Sequence, residues 1–202
     1  METITTLAFV RHGHVDNPRN IYYGRSPHFK LSEQGKFQAH SAADILREKP
    51  ISAVFSSPTL RSRQTAQFIA APHVGVTVHI SRRLHEVYTP FDGCPISEII
   101  ARSWDVYTGS DSEYEQPCDV IRRILRFAAQ VRRQYLGQYI VAVTHDDAIL
   151  LMMLQVLGIP LDTDTVIEYK RTHPYIAPAS ISTFVYRTME INEVPSYQYI
   201  ES

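Results

Sequence analysis

Apolar positions along this chain follow two rhythms. Residues 7–10, 51–55 and 139–143 are short runs in which nearly every position is apolar or β-branched, as expected of strands buried on both faces. Residues 119–135 instead place Val120, Ile121, Ile124, Leu125, Phe127, Ala128 and Val131 at helical spacing, which predicts an amphipathic helix. Further helices are expected from Ser32, as N-cap, to about Arg47, over 59–70, and over the very apolar 147–157, which Gly158 and Pro160 close. Strands are expected over 4–10, 51–55, 74–80, 139–143, 181–187 and 196–200, the last two as a hairpin. Strands alternating with helices predict an α/β domain with a mostly parallel sheet covered on both sides. Residues 13–30 read as a loop. Residues 88–118, broken by Pro90, Gly93, Pro95, Gly109 and Pro117, read as a lid or binding insertion with one short helix near 96–104. The whole of 1–202 is taken as one domain.

Composition narrows the class. The chain has 202 residues, 44% hydrophobic and 20% charged, enough for one folded core. Its net charge of -1 argues against nucleic acid or an anionic membrane as the main partner, since both call for a basic face. Two cysteines, Cys94 and Cys118, are too few for a disulfide framework. The apolar stretch before Arg11 has no basic flank and is too short for a secretory signal, and 148–157 is too short to span a bilayer, so a cytoplasmic protein is expected.

Four polar clusters end the expected strands or open the helices after them: Arg11-His12-Gly13, Arg61, Glu86 and His145. Ligands of open α/β sheets bind at this end of the strands. Chemistry on an anion accounts for all four. Two guanidinium groups would neutralise a phosphoryl group, one imidazole would attack phosphorus, the other would hydrogen-bond an equatorial oxygen, and a carboxylic acid would protonate the leaving oxygen. His12 must then be neutral, which nearby Arg11 and Arg61 favour, and Glu86 must be protonated, which burial favours.

These residues resemble the histidine phosphatase superfamily, also called phosphoglycerate-mutase-like. Arg11-His12-Gly13 matches its signature, and Ser56-Ser57-Pro58-Thr59-Leu60-Arg61 with Ser62-Arg63-Gln64-Thr65-Ala66 is similar to its second motif. Leu84-His85-Glu86 matches the segment bearing its acid, and Val143-Thr144-His145 its second histidine. The resemblance implies a three-layer α/β/α fold and a phosphohistidine intermediate on His12, with no metal and no other cofactor. It gives His12 and Glu86 as catalytic residues and Arg11, Arg61 and His145 as phosphate ligands. Asn17 is a supporting residue and Arg25 a secondary arginine; Asp146 adjoins the bound group. His14 stands where the family usually has Thr, Glu or Gln.

A phosphomonoesterase acting on a small phosphorylated metabolite is therefore the expected function. Three alternatives were weighed. A mutase-type phosphotransferase is disfavoured by Asp92, Asp105, Asp111, Glu113 and Glu115 in the lid, which would repel a doubly charged substrate. A non-catalytic phosphate-binding protein is conceivable if the unusual Asp146-Asp147 after His145 spoils turnover. A metal-dependent hydrolase could use His12 and His14, which strand alternation would place on one face, with His145, Asp146 and Asp147. Asp146 is also the alternative to Glu86 as acid.

Overall fold

The computed structural model describes residues 4–188, 190 and 193–201. Six strands form one sheet: β1 (Thr5–Arg11), β2 (Ile51–Ser56), β3 (Val78–Ile80), β4 (Tyr139–Thr144), β5 (Ile181–Tyr186) and β6 (Ser196–Ile200), in the order β3-β2-β4-β1-β5-β6. The first four are parallel to one another; β5 and β6 run antiparallel, as the expected hairpin. The helices are α1 (Glu33–Leu46), α2 (Leu60–Ala70), α3 (Ile96–Ala101), α4 (Pro117–Gln134), α5 (Asp146–Val156) and α6 (Thr163–Thr172). Two expectations fail. The strand expected over 74–80 is confined to Val78–Ile80, because the chain turns at Gly75, whose φ is +82°. Helix α6 was not anticipated, although Asp162 caps it by accepting from the Thr165 backbone N–H at 2.9 Å.

The three layers follow from the alternation of side chains along each strand. Ala8, Val10, Val141 and Val143 pack against Ala42, Leu46, Ala66 and Ile69 of α1 and α2. Leu7, Phe9, Ile140 and Ala142 pack on the other side against Ile124, Phe127 and Val131 of α4 and Ile149 and Leu151 of α5. Both faces are therefore dry, which is why the strands read as unbroken apolar runs. Among the described residues, no helix is long and apolar enough to cross a membrane.

Register sets the site. Arg11 lies opposite Thr144 and Ser56 opposite Val143, so the next residues out, His12, His145 and Ser57, emerge side by side at the C-terminal edge. Backbone bonds continue past the strands: His12 N–H donates to Thr144 O at 3.1 Å and Ser57 N–H to Val143 O at 2.9 Å.

The loop after β1 is pinned by a glycine pair. A Cβ on Gly35 would stand 1.9 Å from the His14 carbonyl oxygen, and one on Gly13 would stand 2.4 Å from Gly35 O. Alanine in a helix is ordinarily worth about 1 kcal/mol over glycine. Here the sign should reverse: Gly35→Ala is expected to destabilise the protein by roughly 1–3 kcal/mol in urea unfolding, because backbone must move to admit the methyl. Unchanged or raised stability would contradict this close approach.

Candidate active site

His12 is almost wholly buried, and its Nδ1 lies 2.8 Å from Gly13 O. A carbonyl can only accept, so Nδ1 carries the proton and Nε2 presents a lone pair. Arg61, with no exposed surface, donates from Nε to that Nε2 at 3.2 Å. Its Nη2 stands 3.4 Å from His145 Nδ1, and Nη1 and Nη2 donate to the carbonyls of Ser26 and Gly24. The two imidazoles meet edge to face with centroids 5.2 Å apart. Burial, then the charge of Arg61, hold both well below the ordinary histidine pKa. His145 is further fixed by Ser57 Oγ at 2.8 Å from Nε2. That hydroxyl can give or take the bond, so His145 can offer either a lone pair or an N–H at Nδ1.

Arg11 lies against the Tyr175 ring, 4.3 Å from its centroid, and donates from Nη1 to Ile176 O. Its buried Nε meets no hydrogen-bond partner among the described residues. Neither Arg11 nor Arg61 forms an ion pair with a described carboxylate. Two buried guanidinium groups without an ion-pair partner among the described residues, one bonded to the His12 lone pair and both placing positive charge near that ring, are arranged for an anion.

Glu86 shares a hollow with His12 and Arg11. Its Oε1 accepts from the Val87 backbone N–H at 2.9 Å, and its Oε2 lies 3.4 Å from His145 Nδ1. Burial, with the negative charge of Asp147 second, pushes its pKa up to about 7. Glu86, His12 and Arg11 line a hollow of about 60 Å³ with Tyr22, Tyr23 and Lys170. Asp146 does not line it. Burial raises the Asp146 carboxyl to about 6; among the described residues its oxygens meet no hydrogen-bond partner of ordinary geometry, and Arg11, Asp147, Lys170 and the Tyr175 hydroxyl are the groups that bear on it. Asp147 does line the hollow, but its carboxylate is engaged, accepting from Tyr107 Oη at 2.9 Å and pairing with buried Lys170 at 2.5 Å. A wider groove of about 560 Å³ along α4 and α5, lined by Arg122, Arg126, Arg132 and apolar side chains, contains neither histidine.

Three expectations are corrected by this geometry. Arg25 does not face the phosphate position: its Nε donates to Glu86 O at 2.8 Å and its Nη2 pairs with Glu115 at 2.8 Å, so it holds the backbone of the acid instead. Three of the five lid acids are engaged by donors rather than free to repel a substrate. Asp92 accepts from the Arg25 N–H, Asp105 from those of Tyr107 and Thr108, and Glu115 is clamped by Arg25 and Arg123. His14 is not set beside His12 by strand alternation, because β1 ends at Arg11; it is exposed, with Nδ1 2.8 Å from Ser32 Oγ, and meets His12 only as a lining residue of an outer hollow. Asn17 sits beside the site, but its amide bonds both the N–H and the carbonyl of Ile21 and so shapes its own loop. Sequence reasoning missed the Asp147–Lys170–Tyr107 group, Tyr175 and Ser57. The Asp162 cap that starts α6 was the available clue to Lys170; nothing local marks the tyrosines.

Comparison with known proteins agrees with this arrangement. The chain belongs to the histidine phosphatase superfamily (branch 1), whose family model matches residues 7–191. An uncharacterized protein of Mycobacterium tuberculosis is 49% identical over 69 residues, a stretch that is 34% of each chain, so the match spans about a third of that relative's length. Phosphoserine phosphatase 1 of Hydrogenobacter thermophilus is 28% identical over 165 residues, covering 77% of both. Among solved structures, a mycobacterial glucosyl-3-phosphoglycerate phosphatase superposes with a TM-score of 0.77 at 21% identity, covering 97% of each chain. A phosphoserine phosphatase from Entamoeba histolytica, in complex with 3-phosphoglyceric acid, gives 0.75 at 21%, covering 98% of this chain and 97% of that one. The fold is therefore the three-layer phosphoglycerate mutase-like one.

The raised Glu86 pKa has a consequence for stability. An unfolded glutamate ionises near 4.5, whereas the folded one holds its proton to about 7. Folding therefore loses stability as pH rises between these values, by about 3 kcal/mol at most above them. Glu86→Gln should be more stable than wild type at pH 8, with the difference vanishing near pH 4, by urea unfolding at both. Equal pH dependence of the two proteins would contradict a neutral buried acid.

Proposed function

We propose that the protein is a metal-independent phosphomonoesterase acting on a small phosphorylated metabolite through a phosphohistidine on His12. The observation that carries this reading is the lone pair of His12 Nε2, facing the buried, carboxylate-free guanidinium of Arg61. A phosphoryl group entering there would take over the donors of Arg61 and the unbonded Nε of Arg11. Nε2 forms the N–P bond while the P–O bond to the alcohol breaks, and the Glu86 proton passes to the departing oxygen. Water then attacks phosphorus, its proton goes to the Glu86 carboxylate, and the N–P bond breaks to return neutral His12. His145 orients an equatorial oxygen. Arg25 and Asn17 support the loops that carry the acid and the histidine, and Asp146 sits behind Arg11 as a weak counter-charge. Glu86 is preferred to Asp146 as acid because it shares the hollow with His12.

Segment 88–118 acts in this reading as a fixed roof over a single domain: Ile99, Val106 and Tyr107 are core residues, so it is anchored as well as covering. Free Cys94 and Cys118 fit a cytoplasmic setting.

Two measurements test the reading. Purified protein should hydrolyse phosphomonoesters in excess chelator, and His12→Ala should abolish this; retained turnover in that variant, or loss on chelation, would overturn it. Because the acid must be protonated, kcat/KM should fall above about pH 7 as Glu86 ionises. Glu86→Gln should cut kcat for alkyl esters by about 10²–10⁴. A wild-type profile still climbing through pH 9 would remove Glu86 from the role.

A further inference from the structure

The wall of the site contains one feature the phosphoryl chemistry does not use. Trp104 has a backbone φ of +60°, directly after Ser103 at +54°. The end of α3 accounts for the first, since Ser103 N–H and Trp104 N–H close onto Ile100 O and Ile99 O. A second left-handed residue as bulky as tryptophan is strained unless its surroundings impose it. Here they do: Lys170, buried and paired with Asp147, donates to Trp104 O at 3.3 Å. The indole lies on the Tyr175 ring, centroids 5.3 Å apart and 32° from parallel, and Tyr175 in turn lies against Arg11. The phosphate-binding arginine, a tyrosine and a tryptophan thus form one stack leading outward.

The two ends of that stack, Arg11 and Trp104, also line a second hollow of about 280 Å³, which shares His12, Tyr23 and Ile96 with the inner one and adds Gly13, His14, Val15, Asn17, Asn20 and Pro178. Among the described residues, no lysine, aspartate or glutamate lines it. Arg11 lies at its phosphoryl end, and His14 at its rim already bonds Ser32. Apart from Arg11, the side chains there that could hydrogen-bond a carboxylate are His14, Asn17, whose amide is spent on Ile21, and Asn20, none of them a fixed cation, whereas the aromatic wall of Tyr23 and Trp104 suits a flat apolar group.

We infer that the outer hollow receives an uncharged, ring-bearing group of the phosphoester, stacked on Trp104, and that small carboxylated esters are poor substrates. This rests on the phosphomonoesterase reading and deepens it. It also separates this chain from relatives named for phosphoserine or phosphoglycerate esters.

Benzyl phosphate, phosphoserine and 3-phosphoglycerate all release aliphatic alkoxides, so comparing them isolates the organic group from leaving-group strength. The expected kcat/KM for benzyl phosphate is at least tenfold that for either acid. Trp104→Ala should reduce that preference about tenfold and Trp104→Phe should restore most of it. Trp104 is the only tryptophan of the chain, so benzylphosphonate should change its fluorescence saturably, and inorganic phosphate should do so far less. Equal or faster hydrolysis of the acids, a preference unmoved by Trp104→Ala, or no fluorescence response to benzylphosphonate would overturn the inference. Failure to hydrolyse any of the three esters, with benzylphosphonate still bound at Trp104, would instead overturn the phosphomonoesterase reading and leave the hollow's preference standing.

Discussion

A guanidinium taken wholly out of water must be met by hydrogen-bond acceptors and, in the working state, by negative charge. Arg61 meets the first demand with the carbonyls of Gly24 and Ser26, the face of Tyr23 at 4.7 Å and the lone pair of His12. Among the described residues no carboxylate forms an ion pair with it to meet the second. Much of the surrounding structure serves this one side chain. The β1 and β2 registers against β4 bring His12, His145 and Ser57 to it, the loop of residues 24–26 turns its carbonyls inward, and the first turn of α2 delivers it from beneath. Substituting any of these acceptors would leave a buried charge poorly held.

Burial tunes the remaining groups in opposite directions with one cause. Removal from water disfavours whichever form is charged, so it lowers the two histidines and raises the carboxyls of Glu86 and Asp146. A nucleophile kept unprotonated and an acid kept protonated near pH 7 are both products of the same dry cavity. The arginines reinforce this at His12. Asp147 reinforces it at Glu86, and its own charge is matched by Lys170, so it can act on the acid without competing for the anion.

The strands and five of the six helices were legible: burial on two faces leaves unbroken apolar runs, burial on one face leaves a helical stripe, and the short α3 stands out between the breakers of its segment. The residues at the ends of those strands were legible for the same reason: Arg11, His12 and His145 interrupt apolar runs where nothing about packing calls for charge. Beyond the strand ends legibility fades. Whether Arg25 faces the anion or clasps Glu115 depends on a contact across 90 positions of sequence. The lid acids read as a charge cluster because sequence shows charge but not the partner of each. Tyr175 and Lys170 come from a segment whose approach to Arg11 and Asp147 no local pattern announces; only the α6 cap was there to be read.

The central claim is that His12 Nε2 is the atom that takes the phosphoryl group. Rapid alkaline denaturation during turnover, followed by mass spectrometry of the peptides, tests it directly. The account predicts one base-stable, acid-labile phosphoryl group on His12 that disappears as substrate is exhausted. A phosphoryl group found on another residue, or steady turnover with none on the protein even when hydrolysis of the intermediate is slowed, would contradict it.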